Sequence, residues 1–361
     1  MSGSVREQHL AGHDIVVIGG SAGVANALQV LIRQLPREFP AAIFVTYHAP
    51  AGVDGAMPRM LAIASALEIK LADDGEPIRR GVVYVARPDH HLLLEKEAVR
   101  VSRGPRENGW RPAIDPLFRS AAVSHGPRVI GVVLTGMLDD GTAGLLAIKR
   151  CGGIAVAQDP HDAAYPGMPQ SAIDNVSVDH RLALKDMGEL LKRLVRETAG
   201  VSPPVPDDLL KEARVSAQGV PVSEGAPRTS PGCTYTCPDC DGPLHRQTAP
   251  GEQLDRYRCL VGHAWDASAL LAGTNGQLES TVWAAIRLFR QRAQLLSTRA
   301  ARELEAGRER TAYNYREQAE ESLGHARRLQ DLAMQSFEFG GETEREPETA
   351  APPRRSRLRG A

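Results

Sequence analysis

Ile15-Val16-Val17-Ile18-Gly19-Gly20-Ser21-Ala22-Gly23 decides the fold. Four consecutive β-branched residues, with no polar residue to face water, predict a short strand buried on both faces. Two glycines then permit a tight turn. Beyond it Leu28, Leu31, Ile32 and Leu35 recur at helical spacing, an apolar stripe that must face a core. Pro36 and Pro40 end the helical pattern, and residues 42–48 supply a second strand. Strand, glycine turn, helix and strand make a unit whose two strands lie parallel.

The alternation continues outward from there. Residues 82–86, 92–95, 98–102, 128–134 and 154–158 read as strands, and residues 115–124, 140–151 and 184–197 as helices. The strands at 92–95 and 98–102 form a hairpin around Lys96-Glu97. The pattern predicts an α/β domain over 12–199, a doubly wound and mostly parallel sheet with its site at the carboxyl edge of the strands. Six prolines between Pro203 and Pro231 mark 200–232 as a mobile linker. Residues 233–273 hold a Cys/His cluster. Residues 274–338, rich in Ala, Leu, Glu and Arg, predict a helical segment interrupted at Gly307, and 339–361 lack the apolar content of a folded tail.

With 361 residues and 42% hydrophobic content, the chain can bury more than one core. Lys+Arg 43 against Asp+Glu 44 leaves a net charge of -1, which excludes a global pull toward nucleic acid or an anionic membrane. An aromatic content of 4% argues against a base-stacking platform. The first residues lack the apolar stretch of a signal peptide, and the apolar runs are too short to cross a bilayer. Five cysteines, three of them clustered at Cys233, Cys237 and Cys240, fit a reducing compartment and a metal site better than a disulfide framework. A cytoplasmic protein is expected.

Ser21 follows a strand and precedes a helix, within Gly19-x-Ser21-x-Gly23. Such a turn exposes a hydroxyl at a strand end, next to the free amides of a helix start. The plainer alternative is a serine that caps the helix. A dinucleotide loop is disfavoured, because the G-x-G-x-x-G spacing and the acidic residue that follows it are both missing. A nucleophilic hydroxyl needs a base and an orienting acid. His48 ends the second strand, and Asp139-Asp140 follows the strand at 128–134. In a parallel sheet all three positions fall on one edge.

These residues carry a resemblance to the catalytic domain of the chemotaxis receptor methylesterase family (CheB-type), over roughly residues 13–195. It rests on Gly20-Ser21-Ala22-Gly23, His48, Asp74-Gly75-Glu76, Arg111-Pro112 with Asp115, Leu134-Thr135-Gly136-Met137 with Asp140-Gly141, and Gly167-Met168-Pro169, in that order. The resemblance implies a Ser-His-Asp triad with Ser21 as nucleophile, His48 as base and Asp140 as acid. It places Met137 beside an oxyanion site formed with the amides near Ala22 and Gly23. It implies hydrolysis of glutamyl methyl esters with release of methanol, glutamine deamidation by the same acyl chemistry, and no cofactor for catalysis. Implied partners are methylated chemoreceptor-like proteins and a receptor methyltransferase. Leu138 stands where the family commonly has glycine, and Tyr47 where it commonly has glutamine. Strand one begins near residue 15, too early for the receiver domain of classical members, so control by aspartyl phosphorylation of this chain is not expected. A catalytically weak signalling adaptor is the alternative.

Cys237-Pro238-Asp239-Cys240 and Cys259-Leu260-Val261-Gly262-His263 supply two ligands from each of two turns, a Cys₃His set for structural zinc. Cys233 and His245 are reserve ligands. So small a module needs metal to fold, and four protein ligands leave no open position for catalysis. Similar zinc-knuckle-plus-helix tails occur on receiver-less relatives of the resembled family. In the helical segment Leu278, Val282, Ala285, Phe289, Ala293, Leu296 and Ala300 read as one seam, with Tyr313, Leu323, Ala326 and Leu329 on a second helix. Such seams serve packing or oligomerisation.

Overall fold

The structure, a computed structural model, describes residues 12–48, 56–218, 235–247 and 254–337. It divides into two compact units between Gly273 and Thr274.

The first unit is built on a seven-stranded sheet. Across it run β3 (Glu68–Leu71), β4 (Val82–Val85), β2 (Ala42–Tyr47), β1 (Ile15–Gly20), β7 (Val129–Val133), β8 (Ile154–Gln158) and β9 (His180–Leu182), in that order. Each pairing is parallel. The early strands wind to one side of β1 and the later ones to the other, so the winding reverses between β1 and β7. Ligand sites of open α/β sheets fall at such a switch point.

Strand β1 explains the two layers. Its successive side chains point to opposite faces. Val16 and Ile18 join a core with Leu28, Leu31 and Ile32 of α1 (Val24–Arg33) and Leu190 and Leu191 of α6 (Leu184–Leu194). Ile15 and Val17 join a second core with Leu117 and Phe118 of α3 (Ile114–His125) and Leu145 and Ile148 of α4 (Thr142–Arg150). The expected hairpin is present as antiparallel β5 (His91–Leu94) and β6 (Val99–Ser102).

Beyond the expected elements the unit also contains α2 (Ala56–Ala64), α5 (Gly167–Asn175), β3 and β9. Within residues 200–232, expected as a linker, α7 (Asp207–Gln218) forms and buries Leu209 and Ser216. The prolines misled because Pro206 sits just before the helix, where a missing N–H costs nothing. Asp207 and Asp208 in the first turn favour its positive end.

The Cys/His segment folds as a three-stranded antiparallel sheet of β10 (Leu244–Gln247), β11 (Arg256–Cys259) and β12 (Ala264–Asp266). Its apolar cluster is small: Cys237, Leu244, Tyr257, Cys259, Trp265, Ala269 and Leu270. Helix α8 (Ala267–Glu305) starts directly after β12, with Asp266 Oδ1 accepting the Ala269 amide at 2.7 Å as its N-cap.

In the second unit α8 breaks at Gly307 and is followed by α9 (Glu309–Phe337). The buried seam keeps Ala293, Ala300 and Ala326 of the expected one and shifts elsewhere. It runs through Ile286, Ala293 and Ala300 on one helix and Ala312, Ala319, Ala326 and Ala333 on the other, while Leu278 and Tyr313 are exposed. The alanines recur every seven residues, a heptad spacing that keeps small side chains on one face of each helix. Phe289 stacks on His325 with ring centroids 5.1 Å apart. Among the described residues no helix is long and apolar enough to cross a membrane.

Candidate active site

Ser21, His48 and Asp140 follow β1, β2 and β7 at the carboxyl edge of the sheet. Ser21 Oγ lies 2.9 Å from His48 Nδ1. His48 Nε2 lies 2.7 Å from Asp140 Oδ2. With the carboxylate at Nε2, the ring proton sits on that nitrogen, and Nδ1 is left to accept from the serine hydroxyl. Ser21 is therefore not the cap of α1. That position belongs to Gly23, whose φ of 74° suits a residue without Cβ, and no side chain caps the helix.

Asp140, and not Asp139, meets the histidine because two carboxylates tie two helix starts together. Asp140 accepts the Ile114 amide at 2.8 Å and the Asp115 amide at 3.3 Å, at the start of α3. Asp115 in turn accepts the Gly141 and Gly144 amides at 3.0 and 2.6 Å, at the start of α4. Asn108 Nδ2 bridges the pair, 3.1 Å from Asp140 Oδ1 and 3.3 Å from Asp115 Oδ2. Burial opposes the charge on Asp140, but the hydrogen bond and charge of His48, with the amides and Asn108, outweigh it and hold its pKa below the usual range. Burial and the neighbouring Asp140 push Asp115 the other way, up to about 8. Asp140 thus carries the negative charge of the pair.

The candidate oxyanion residues surround Ser21. The Ser21 amide is taken by the Thr135 carbonyl at 3.0 Å, and the Gly136 amide by the Tyr165 carbonyl at 3.0 Å. Among the described residues the amides of Ala22, Gly23 and Met137 have no such acceptor. Gly136 permits this crowding: a Cβ there would stand 2.0 Å from Met168 Sδ and 3.1 Å from Ser21 Cβ. Met137 is 57% exposed at the rim. Leu138 takes a φ of 63°, a region that strains a branched side chain.

Two neighbours of the relay gave no sequence signal beyond a turn. Trp110 stacks flat on His48, with centroids 4.5 Å apart and planes 3° apart. Asn108 belongs to an Asn-Gly pair that announces a turn but not what its amide will touch. Other motif residues hold loops. Glu76 accepts from the Asp73 amide and Lys70, and Asp74 accepts from the Val101 amide.

In the hairpin module the four expected ligands converge, with their donor atoms within 4.8 Å of one another. Cys240 and Cys259 Sγ are 3.7 Å apart, and His263 Nδ1 is 3.6 Å from both Cys237 and Cys259 Sγ. Zinc bonds of about 2.3 Å to sulfur and about 2.1 Å to nitrogen place tetrahedral ligands roughly 3.5–3.8 Å apart. The donor set and its spacing therefore fit zinc. His245 pairs along β10 and is not in the cluster, and Cys233 lies outside the described residues.

A serine–histidine–carboxylate relay at the switch point of a doubly wound parallel sheet is the arrangement of a serine esterase. The CheB methylesterase profile matches residues 16–191. A Leptospira interrogans protein, provisionally named protein-glutamate methylesterase/protein-glutamine glutaminase, is 43% identical over 183 residues, 50% of this chain and 95% of its own length. Protein-glutamate methylesterase/protein-glutamine glutaminase 2 of Anaeromyxobacter dehalogenans is 39% identical over 51% of this chain and 54% of its own. The crystal structure of the Thermotoga maritima CheB methylesterase catalytic domain is 36% identical, with a TM-score of 0.50, over 51% of this chain and all of that one. The chain belongs to the CheB methylesterase family.

Proposed function

We propose that this chain hydrolyses glutamyl methyl esters on methylated chemoreceptor-like proteins, with Ser21, His48 and Asp140 as its triad. The observation that carries the reading is the unbroken relay, 2.9 Å from Ser21 to His48 and 2.7 Å on to Asp140. His48 Nδ1 takes the hydroxyl proton as Ser21 Oγ bonds to the ester carbonyl carbon. The amides of Ala22, Gly23 and Met137 receive the oxyanion. On collapse the carbon–methoxy bond breaks, and methanol leaves with the proton from His48. Water then adds to the acyl-enzyme through the same base, freeing the glutamate carboxylate and the serine. A glutamine side chain would follow the same path and release ammonia.

The Cys₃His set is read as structural zinc, because its spacing is tetrahedral and its apolar cluster is too small to fold alone. The unpaired state of Cys151, Cys237, Cys240 and Cys259 suits a reducing, cytoplasmic setting. Self-association or methyltransferase docking through α8 and α9 is supported by exposed Trp283, Leu288 and Leu295, and sedimentation of the full chain tests the former.

The deciding assay is methanol release from a methylated receptor fragment. Ser21→Ala is expected to lower kcat by on the order of 10⁶, since the members of such a triad act as a unit. Turnover within tenfold of the parent would overturn the reading.

A further inference from the structure

The loop that carries Asn108 and Trp110 is held between the relay and the metal-ligand hairpin. Toward the relay, Trp110 covers the His48 ring, and Asn108 Nδ2 donates to Asp140 Oδ1 at 3.1 Å. Toward the hairpin, the Asn108 amide donates to the Ala264 carbonyl at 2.7 Å and the Ala264 amide to the Arg106 carbonyl at 3.2 Å. The Asp266 amide donates to Asn108 Oδ1 at 2.9 Å. The Trp265 ring lies 3.3 Å from where a Cβ on Gly109 would stand. Asn108 is thus gripped at its backbone and at both ends of its side chain, with a φ of 53°, in the left-handed region that asparagine tolerates better than most residues other than glycine.

The amide of Asn108 has one acceptor end and one donor end. Because the Asp266 N–H occupies the acceptor, the donor must face the carboxylates. Asp266 and Ala264 belong to β12, which begins at the residue after His263 and pairs with β11, which ends at Cys259. Two of the four metal ligands therefore flank the turn that sets the position of β12.

We infer that Asn108 is a positioning residue through which the Cys₃His hairpin, once closed on its metal, fixes the Asp140 carboxylate against His48, so that zinc bound away from the reacting atoms activates the esterase site. The inference rests on the triad reading. Without metal the four ligands repel or drift, β12 loses its place, and Asn108 no longer has a partner to orient its amide. Asp140 then keeps its backbone donors on α3, the Ile114 amide on Oδ2 and the Asp115 amide on Oδ1, but loses the shorter of the two bonds to Oδ1, and with it part of the restraint on rotation of its carboxylate away from the imidazole.

The test uses the full chain, purified with zinc, stripped with a chelator and reloaded with Zn²⁺. Three quantities are followed: zinc per chain, the rate and pH profile of Ser21 labelling by a fluorophosphonate, and the downfield proton resonance of His48 Nε2–H, identified by its loss in His48→Gln. Stripping is expected to slow labelling at least tenfold and to abolish the downfield resonance, and Zn²⁺ to restore both. Asn108→Ala, carrying one zinc per chain, is expected to match the stripped protein in rate and resonance. That variant tests the positioning role of Asn108 even where stripping unfolds the chain. Failure of the chain to bind zinc, or labelling and resonance unchanged in zinc-loaded Asn108→Ala, overturns the coupling. Absence of Ser21 labelling in the zinc-loaded parent instead overturns the triad reading on which it rests.

Discussion

Asp140 accepts four hydrogen bonds: from His48, from the amides of Ile114 and Asp115, and from Asn108. Each favours the carboxylate, and together they choose the tautomer of the imidazole. In Asp140→Asn an amide N–H can face His48 Nε2, which moves the ring proton to Nδ1 and removes the acceptor for Ser21. A loss of about 10⁴ in kcat is expected, by analogy with the same change in other serine triads. The measurement is steady-state methanol release at neutral pH, and a fall of less than tenfold would contradict the tautomer argument. Much of this site was legible in the sequence, because a parallel sheet puts every strand's carboxyl end on one edge, and Ser21, His48 and Asp140 each follow a strand. Asn108 and Trp110 were not, because they come from an irregular loop whose path is set by contacts with residues over 150 positions away at Ala264 and Asp266.

Helices and strands divide along the same line. The strands near β1 are continuous apolar runs, so β1, β2, β7 and β8 could be read directly. At the sheet edges β3 and β9 are short and only partly buried, and their residues carry no clear period. Helix α7 was hidden because it buries one leucine, Leu209, in the apolar core and otherwise packs largely on polar and charged groups. Arg119 of α3, buried to 1% exposure, meets Glu107, and its Nη1 lies 3.1 Å from Glu212 of α7. Arg256 and Arg258 of β11 close the cluster on the same two carboxylates. Burial alone would raise the pKa of Glu107, yet the three guanidinium groups hold it far below its usual range. Arg119 makes the closest contact to Glu107, so removing it leaves that buried carboxylate only the longer contacts to Arg256 and Arg258, at 3.6 and 3.8 Å. Arg119→Ala is therefore expected to destabilise the first unit by about 3–5 kcal/mol, the range for breaking buried pairs. Urea unfolding monitored by tryptophan fluorescence would report it, and a change under 1 kcal/mol would show that the cluster tolerates the loss.

At the scale of the whole first unit, the same cluster joins three pieces distant in sequence: the sheet domain through Glu107 and Arg119, α7 through Glu212, and the hairpin module through Arg256 and Arg258. The apolar cluster of the hairpin is made of its own residues and the first turn of α8, so the charged groups carry much of this junction. Its stability should therefore follow the charge of its carboxylates. Glu212 is desolvated, which works against its charge, but Arg256, Arg119 and Arg258 prevail and lower its pKa from 4.5 to about 2. A carboxylate whose folded pKa is depressed contributes stability fully above its unfolded value. That contribution fades as pH falls below about 4.5 and is gone near 2, at a cost of up to about 3 kcal/mol. Acid should accordingly loosen α7 and the hairpin from the sheet before the sheet's apolar cores give way. Hydrogen exchange at pH 3.5 against pH 6, corrected for the intrinsic rates, is expected to show lost protection at the amides of α7 and β11, with β1 and β7 unchanged. In Glu212→Gln the carboxylate is already absent, so protection of α7 should be lower at pH 6 and should change less between the two pH values. Equal acid sensitivity in the variant and the parent would mean that some other group controls the junction.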